Sequence, residues 1–343
     1  MVGSVAESGR FGGRRVVVTG AGGFIGSAIC RELVAEGAAV TGVEIDAAAE
    51  QRVRGSGAKF ALADVTDRMA LDRAFEGAEL VVHTAAYVRD WGAMEDFVHV
   101  NVTGTRNVLD AAKAGGADRV VHLSSVVVYG YHHPGEQDES AYHRVYGVPY
   151  IDTKSASDAL ALRRGAIVIR PGDVYGPGSV PWTLRPLELA KAGRIAVPGS
   201  GDGVMLPVFI DDLVESVLLG ALKGKPGRAY TAWDGEPISF GDYFDRIAAI
   251  AGARPARRLP RPLLAALAKG MEAVAALRRR PPQFSSRAMT FIDRRGTASN
   301  RRAREELGWE PRVSLDEGLA RTEAWLGEEG MLKPPSRCDA RGT

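Results

Sequence analysis

Val16-Val17-Val18-Thr19-Gly20-Ala21-Gly22-Gly23-Phe24-Ile25-Gly26 lies almost at the start of the chain, and the rest is read outward from it. The β-branched run reads as a buried strand, the glycines as a tight turn, and Ser27 to Glu36 as a helix. Strand, glycine turn and helix together make a site for a dinucleotide phosphate. Small residues let the backbone approach the pyrophosphate, and the helix N-terminus offers free N–H groups and positive dipole. Gly20, Gly23 and Gly26 are spaced three and three. This departs from G-x-G-x-x-G, because Ile stands at position 25. Gly20, Gly22, Gly23, Phe24, Ile25 and Gly26 are therefore assigned to the cofactor.

The 343 residues suffice for one large α/β domain with an accessory lobe. Hydrophobic content of 45% and charged content of 25% are ordinary for a globular protein. A net charge of +2 gives no reason to invoke nucleic acid. The two cysteines, Cys30 and Cys338, make no disulfide framework, which suits a reducing cytoplasm. The first residues lack the apolar stretch of a signal peptide, and no run is long enough to span a membrane. The expected location is cytoplasmic.

Strand and helix signals then alternate. Ala39 to Ile45 reads as a second strand, and Glu44 lies roughly 20 residues beyond the turn, where an acid can hold the ribose hydroxyls of NAD. That carboxylate would repel the 2′-phosphate of NADP. Arg52 and Arg54 downstream keep NADP open. A strand from Lys59 ends in Asp64-Val65, and Leu80 to His83 opens onto Thr84-Ala85-Ala86; these ends flank adenine and ribose. His83 is read as a satisfied core histidine. Glu95 to Gly115 reads as a long helix containing Asn101, and Arg119 to Ser125 as a strand ending in hydroxyls. The alternation predicts an α/β fold, a Rossmann-type doubly wound parallel sheet with a smaller C-terminal substrate lobe. The polar loop from Val126 to Pro149 contains His132 and His133. Adjacent histidines do not readily ligate one ion, so no metal is expected.

Tyr150 and Lys154 supply the chemistry. Positions i and i+4 share one helix face, so phenol and ammonium sit one turn apart. A phenol titrates near 10, too high for a base at neutral pH. A nearby cation favours phenolate, so Lys154 is expected to lower that value. Tyr150 can then exchange a proton with a substrate oxygen that Ser125 also holds.

Ten ordered stretches now carry a resemblance over about Val16 to Leu326. They are TGAGGFIG (19–26), the acid at 44, DV (64–65), HTAA (83–86), NVTGT (101–105), SSVVVYG (124–130), YIDTK (150–154), RPGDVYGPG (170–178), VFIDDL (208–213) and SNRRAREELGW (299–309). The chain resembles an extended short-chain dehydrogenase/reductase of the NAD-dependent epimerase/dehydratase and 3β-hydroxysteroid dehydrogenase type. The resemblance implies hydride transfer with a nicotinamide. In such families the catalytic hydroxyl lies four residues before the Tyr of the VYG element. Here that Tyr is Tyr129, which selects Ser125 over Ser124. Asn101, Tyr150, Lys154, Pro171 and Val174 are added to the cofactor contacts, with Lys154 orienting the ribose, and Tyr87, Val126 and Trp182 to the substrate contacts.

Three details narrow the type. Similar nucleotide-sugar dehydratases carry Asp-Glu after the catalytic Ser/Thr, where this chain has Val126-Val127. Sugar-nucleotide epimerases often have Asn, holding the diphosphate, where this chain has Asp173, whose carboxylate would repel it. Residues 86–92 (AYVRDWG) resemble the sterol dehydrogenase branch. The expected reaction interconverts a secondary alcohol and a ketone on a hydrophobic, steroid-like or polycyclic molecule; a nucleotide-sugar epimerase with tightly bound NAD is the alternative.

The expected organisation is a flexible tail over 1–13 and a dinucleotide domain over 14–178, to which 207–232 returns. The substrate lobe comprises 179–206 and 233–330, and a disordered tail follows over 331–343. Asp211 or Asp212 is expected to cap a helix. Leu263 to Leu277, followed by Arg278-Arg279-Arg280, reads as a lid or core helix, with peripheral membrane contact the alternative. The helices Glu95–Gly115 and Tyr150–Arg163 are expected to form a homodimer bundle, as in relatives.

Overall fold

A computed structural model describes residues 9–141, 145–278, 280, 282 and 284–332. Seven strands, β1 (Arg15–Thr19), β2 (Ala39–Glu44), β3 (Lys59–Leu62), β4 (Leu80–His83), β5 (Arg119–Leu123), β6 (Ile167–Pro171) and β7 (Ala229–Ala232), form one sheet. Their order is β7-β6-β5-β4-β1-β2-β3, and every neighbouring pair is parallel. The fold is thus the expected α/β, doubly wound sheet. All four residues of β4 are buried, as a strand with both faces covered requires. Strand order reverses between β1 and β4, so the crevice beyond their C-terminal ends is where this topology binds ligands.

The helices follow the apolar period. α1 (Phe24–Ala35) buries Ile29, Cys30 and Leu33. The long helix expected from residue 95 begins at Met94, widens into a π-turn over Val98–Gly104 and continues as α2 (Thr105–Gly115). α3 (Pro149–Arg163) starts with proline at its first position, where the missing N–H costs nothing. α4 (Ile210–Lys223) returns to the sheet after a short parallel pair of Asp173–Tyr175 with Pro207–Phe209.

Three expectations change here. Residues 9–13 are not a free tail: Phe11 is fully buried in the main core, and Arg10 bridges Glu36 and Glu215. Met331 and Leu332 also remain with the fold, Leu332 packing against that core. The other expected tail residues, 1–8 and 333–343, Cys338 among them, lie outside the described residues. Third, neither Asp211 nor Asp212 caps α4, whose N-cap is Phe209 without a side-chain bond. Asp212 instead accepts N–H bonds from Arg312 and Val313, both at 3.0 Å, while its own carbonyl accepts Trp309 Nε1 at 2.9 Å. The acid stitches the C-terminal segment to the sheet-side helix.

α5 (Arg261–Arg278) buries only Leu264, Ala268 and Ala275. It is not a core helix. No described helix is long and apolar enough to cross a membrane.

Candidate active site

The glycine turn leaves β1 with Gly20 at φ +70°, a left-handed conformation that favours glycine. A Cβ there would lie 2.9 Å from both the Ala85 nitrogen and the Thr84 hydroxyl. At Gly26 a Cβ would fall 2.1 Å from the Gly20 carbonyl, so the helix approaches its own strand only because position 26 has no side chain. α1 has no side-chain cap at Gly23, and the first-turn N–H groups of Phe24, Ile25 and Gly26 point out of the helix unbonded by it. These donors and the bare backbone fit a pyrophosphate.

Parallel register sets the remaining cofactor candidates level along the same edge. Thr19 pairs with Val43 on one side and His83 on the other; Glu44 pairs with Leu62. Glu44 accepts the Gly22 N–H at 3.0 Å and the Ile45 N–H at 2.8 Å, so its carboxylate sits at the turn. Arg54 is paired with Glu50 at 2.8 Å, whereas Arg52 reaches the Gly22 carbonyl. Asp64 accepts Thr66 N–H at 2.8 Å in a tight loop, and Asn107 holds the Val65 carbonyl at 3.1 Å. Thr84 donates to the Thr19 carbonyl at 2.7 Å, fixing Thr84-Ala85-Ala86 beside the turn. Pro171 ends β6, and Val174 is buried in the strand that follows.

Asn101 departs from its assignment. It is buried, and its amide is spent inside the protein: Oδ1 accepts Tyr87 N–H at 2.7 Å, while Nδ2 donates to the Tyr87 carbonyl at 3.2 Å and to Thr153 Oγ1 at 3.1 Å. It ties the loop after β4 to α3, one residue before Lys154.

Ser125 follows β5, accepting Val127 N–H at 3.3 Å as cap of the turn Val126–Tyr129. Its hydroxyl lies on the Tyr150 side and draws the phenol's titration downward. The electrostatics of Tyr150 and Lys154 differ from the sequence reading. Burial pushes the Tyr150 phenol up to about 12, with the Asp90 and Asp173 charges adding to it and the Ser125 hydroxyl opposing. Lys154 donates to the Leu123 carbonyl at 2.6 Å, and the phenol is raised by burial where the sequence reading expected it lowered. Burial also pulls Lys154 down to about 8, against the opposing pull of Asp158.

A stability consequence follows. Below pH 8 the ammonium is charged whether folded or unfolded, and its desolvation cost is present in full. Between about 8 and 10.5 the unfolded chain binds the proton more strongly, so stability rises with pH. Measured against Lys154→Met by urea unfolding, the wild type should gain up to about 3 kcal/mol across that window. A difference that stays flat with pH would show that Lys154 is not desolvated.

His83 is a core histidine, as expected: Nδ1 meets Thr19 Oγ1 at 2.7 Å and Nε2 meets Thr105 Oγ1 at 3.0 Å. Sequence reading missed its neighbour His122, also buried, with ring centroids 5.1 Å apart. Burial holds both neutral.

The side expected to face substrate is aromatic. Tyr150 and Phe291 pack against a cluster of Val127, Tyr131 and Ile151. Trp182 stacks on Phe240 at 5.6 Å and tilts over Phe291 at 5.5 Å. Val126 is buried and shares a small cavity with Leu206 and Arg294. Tyr87 meets Phe97 edge-on at 4.8 Å. Asp173, read from sequence as a bare carboxylate, is ion-paired with Arg294 and accepts Leu206 N–H at 2.9 Å. Arg294 in turn lies over the rings of Phe291 at 4.8 Å and Phe240 at 5.4 Å. Nothing in local sequence links positions so far apart. Among the described residues no group of three or more His, Cys, Asp or Glu side chains is placed to hold a metal.

Residues 16–232 match the model of the NAD dependent epimerase/dehydratase family, and the chain belongs to that family. It is 29% identical to the 2-alkyl-3-oxoalkanoate reductase of Stenotrophomonas maltophilia, over 90% of this chain and 98% of that protein. It is 31% identical to sterol demethylase protein B of Methylococcus capsulatus, over 92% of this chain and 99% of that one. The solved structure of MoeE5 in complex with UDP-glucose and NAD superposes with a TM-score of 0.74 at 26% identity, covering 92% of this chain and 99% of that chain.

Proposed function

We propose that the chain is an NAD-dependent oxidoreductase interconverting a secondary alcohol and a ketone on a hydrophobic, steroid-like or polycyclic, substrate. The carrying observation is the closed Asp173–Arg294 pair inside an aromatic wall. Its charges cancel, and the guanidinium lies over the neighbouring rings of Phe291 and Phe240, so a diphosphate would have to break the pair to use that cation. A flat apolar molecule finds the wall as it stands. The names of the reductase and sterol relatives agree with an apolar substrate.

Gly20 to Gly26 would hold the pyrophosphate and Glu44 the adenosine ribose, favouring NAD over NADP. When bound, the nicotinamide supplies or accepts the hydride. Ser125 holds the substrate oxygen beside the Tyr150 hydroxyl. With its phenol pushed up to about 12, Tyr150 is protonated at neutral pH and donates to that oxygen during reduction. Alcohol oxidation needs the same group deprotonated, so its rate should climb with pH. Lys154, held by the Leu123 carbonyl, keeps α3 against the end of β5. The helix pair α2 and α3, bridged by Arg164 to Asp110 at 2.7 Å, is the face through which a homodimer would form.

The reading is tested by following reduced nicotinamide optically with NAD⁺ or NADP⁺ and a panel of hydroxysteroids beside UDP- and dTDP-sugars. Net reduction with a sterol-like alcohol is expected, stronger with NAD⁺. A sugar nucleotide that changes configuration without net reduction would overturn it in favour of epimerisation.

A further inference from the structure

α5 turns its apolar face outward. Leu263, Leu267, Met271, Val274 and Leu277 fall on one side at helical spacing and are 41–87% exposed. Ala266 and Gly270 continue the same stripe, which runs the length of an 18-residue helix, roughly 27 Å. Apolar patches of this extent on a folded protein mark an interaction surface.

The charges around the stripe identify what it meets. From Arg261 to Arg287 the sequence carries Arg261, Lys269, Arg278, Arg279, Arg280 and Arg287 against one acid, Glu272. Glu272 is turned inward, accepting the Ser286 N–H at 2.7 Å. Arg261 is spent on Asp293. Lys269, Arg278 and Arg280 are exposed and, among the described residues, meet no carboxylate. Cations thus rim an apolar stripe on a protein whose overall charge is nearly balanced. A second copy laid stripe to stripe would set cations against cations.

We infer that α5 is a peripheral membrane contact, seating its stripe in a bilayer surface with anionic headgroups neutralising Lys269, Arg278 and Arg280. The helix packs on Ser286–Ile292, the segment that brings Phe291 to the aromatic wall. The contact therefore lies one helix away from the candidate substrate site.

Flotation of the full chain with vesicles tests this, using phosphatidylcholine alone or mixed with phosphatidylglycerol. The protein should float with the anionic vesicles, lose binding in high salt, and bind neutral vesicles weakly. Leu267→Glu and Val274→Glu should each cut the bound fraction roughly tenfold or more, with unchanged circular dichroism because both positions are exposed. Lys269→Glu should weaken binding to anionic vesicles only. Absence of flotation with anionic vesicles overturns the inference, as does binding that Leu267→Glu leaves intact. Light scattering that shows a larger oligomer, lost in Leu267→Glu, would assign the stripe to a second copy and overturn it equally.

Discussion

Tyr150→Phe should lower turnover by roughly 10²- to 10⁴-fold, the usual worth of a positioned proton carrier. The substitution removes one oxygen. The ring stays packed against the cluster of Val127, Tyr131 and Ile151. Unfolding midpoints should therefore be unchanged, and the loss should fall on kcat with KM little moved. The pH dependence of the residual rate should disappear along with the phenol. A variant that kept its activity would show that the proton travels by another route and would remove Tyr150 from the chemistry.

Asp158→Ala should cost about 3–5 kcal/mol of stability, the typical result of stripping one partner from a buried ion pair. Asp158 is 0% and Arg170 1% exposed at the side chain. The carboxylate takes both Arg170 Nε at 2.9 Å and Nη2 at 2.8 Å, while Nη1 donates to the Tyr129 hydroxyl at 3.1 Å. The pair joins β6 to α3 one turn beyond Lys154 and steadies the turn that Ser125 begins. Activity should thus fall together with stability. Asp158→Ala combined with Arg170→Met should recover a large part of the loss in urea unfolding, because no guanidinium is then left uncompensated. A single variant as stable as the wild type would deny the pair any structural role.

Much of the molecule could be read from local patterns. The apolar runs Val16–Val18 and Leu80–Val82 and the glycine spacing are local, and they place the strands and the turn. What escaped is long-range or depends on burial. Asp173 looked repulsive because Arg294, which neutralises it, lies far along the chain. Lys154 looked set to acidify Tyr150 because spacing reports distance, not desolvation, and burial raises the phenol. Asp212 stands at a helix start and so resembled a cap, yet the third-dimension neighbours Arg312 and Val313 claim its carboxylate. The apolar period of α5 was visible, but periodicity alone does not say which face meets solvent.

The seventh strand has a consequence for the order in which the protein can be built. β7 is contributed by residues 229–232, after the chain has left the sheet and come back. Thr231 in that strand bonds the Tyr129 hydroxyl at 2.7 Å, and its N–H is accepted by Glu139 at 2.9 Å. As the ribosome delivers the chain, six strands can pair from successive crossovers, but the turn carrying Ser125 waits for Thr231. A nascent chain halted before that point would hold an ordered nucleotide cradle beside an unfinished catalytic wall.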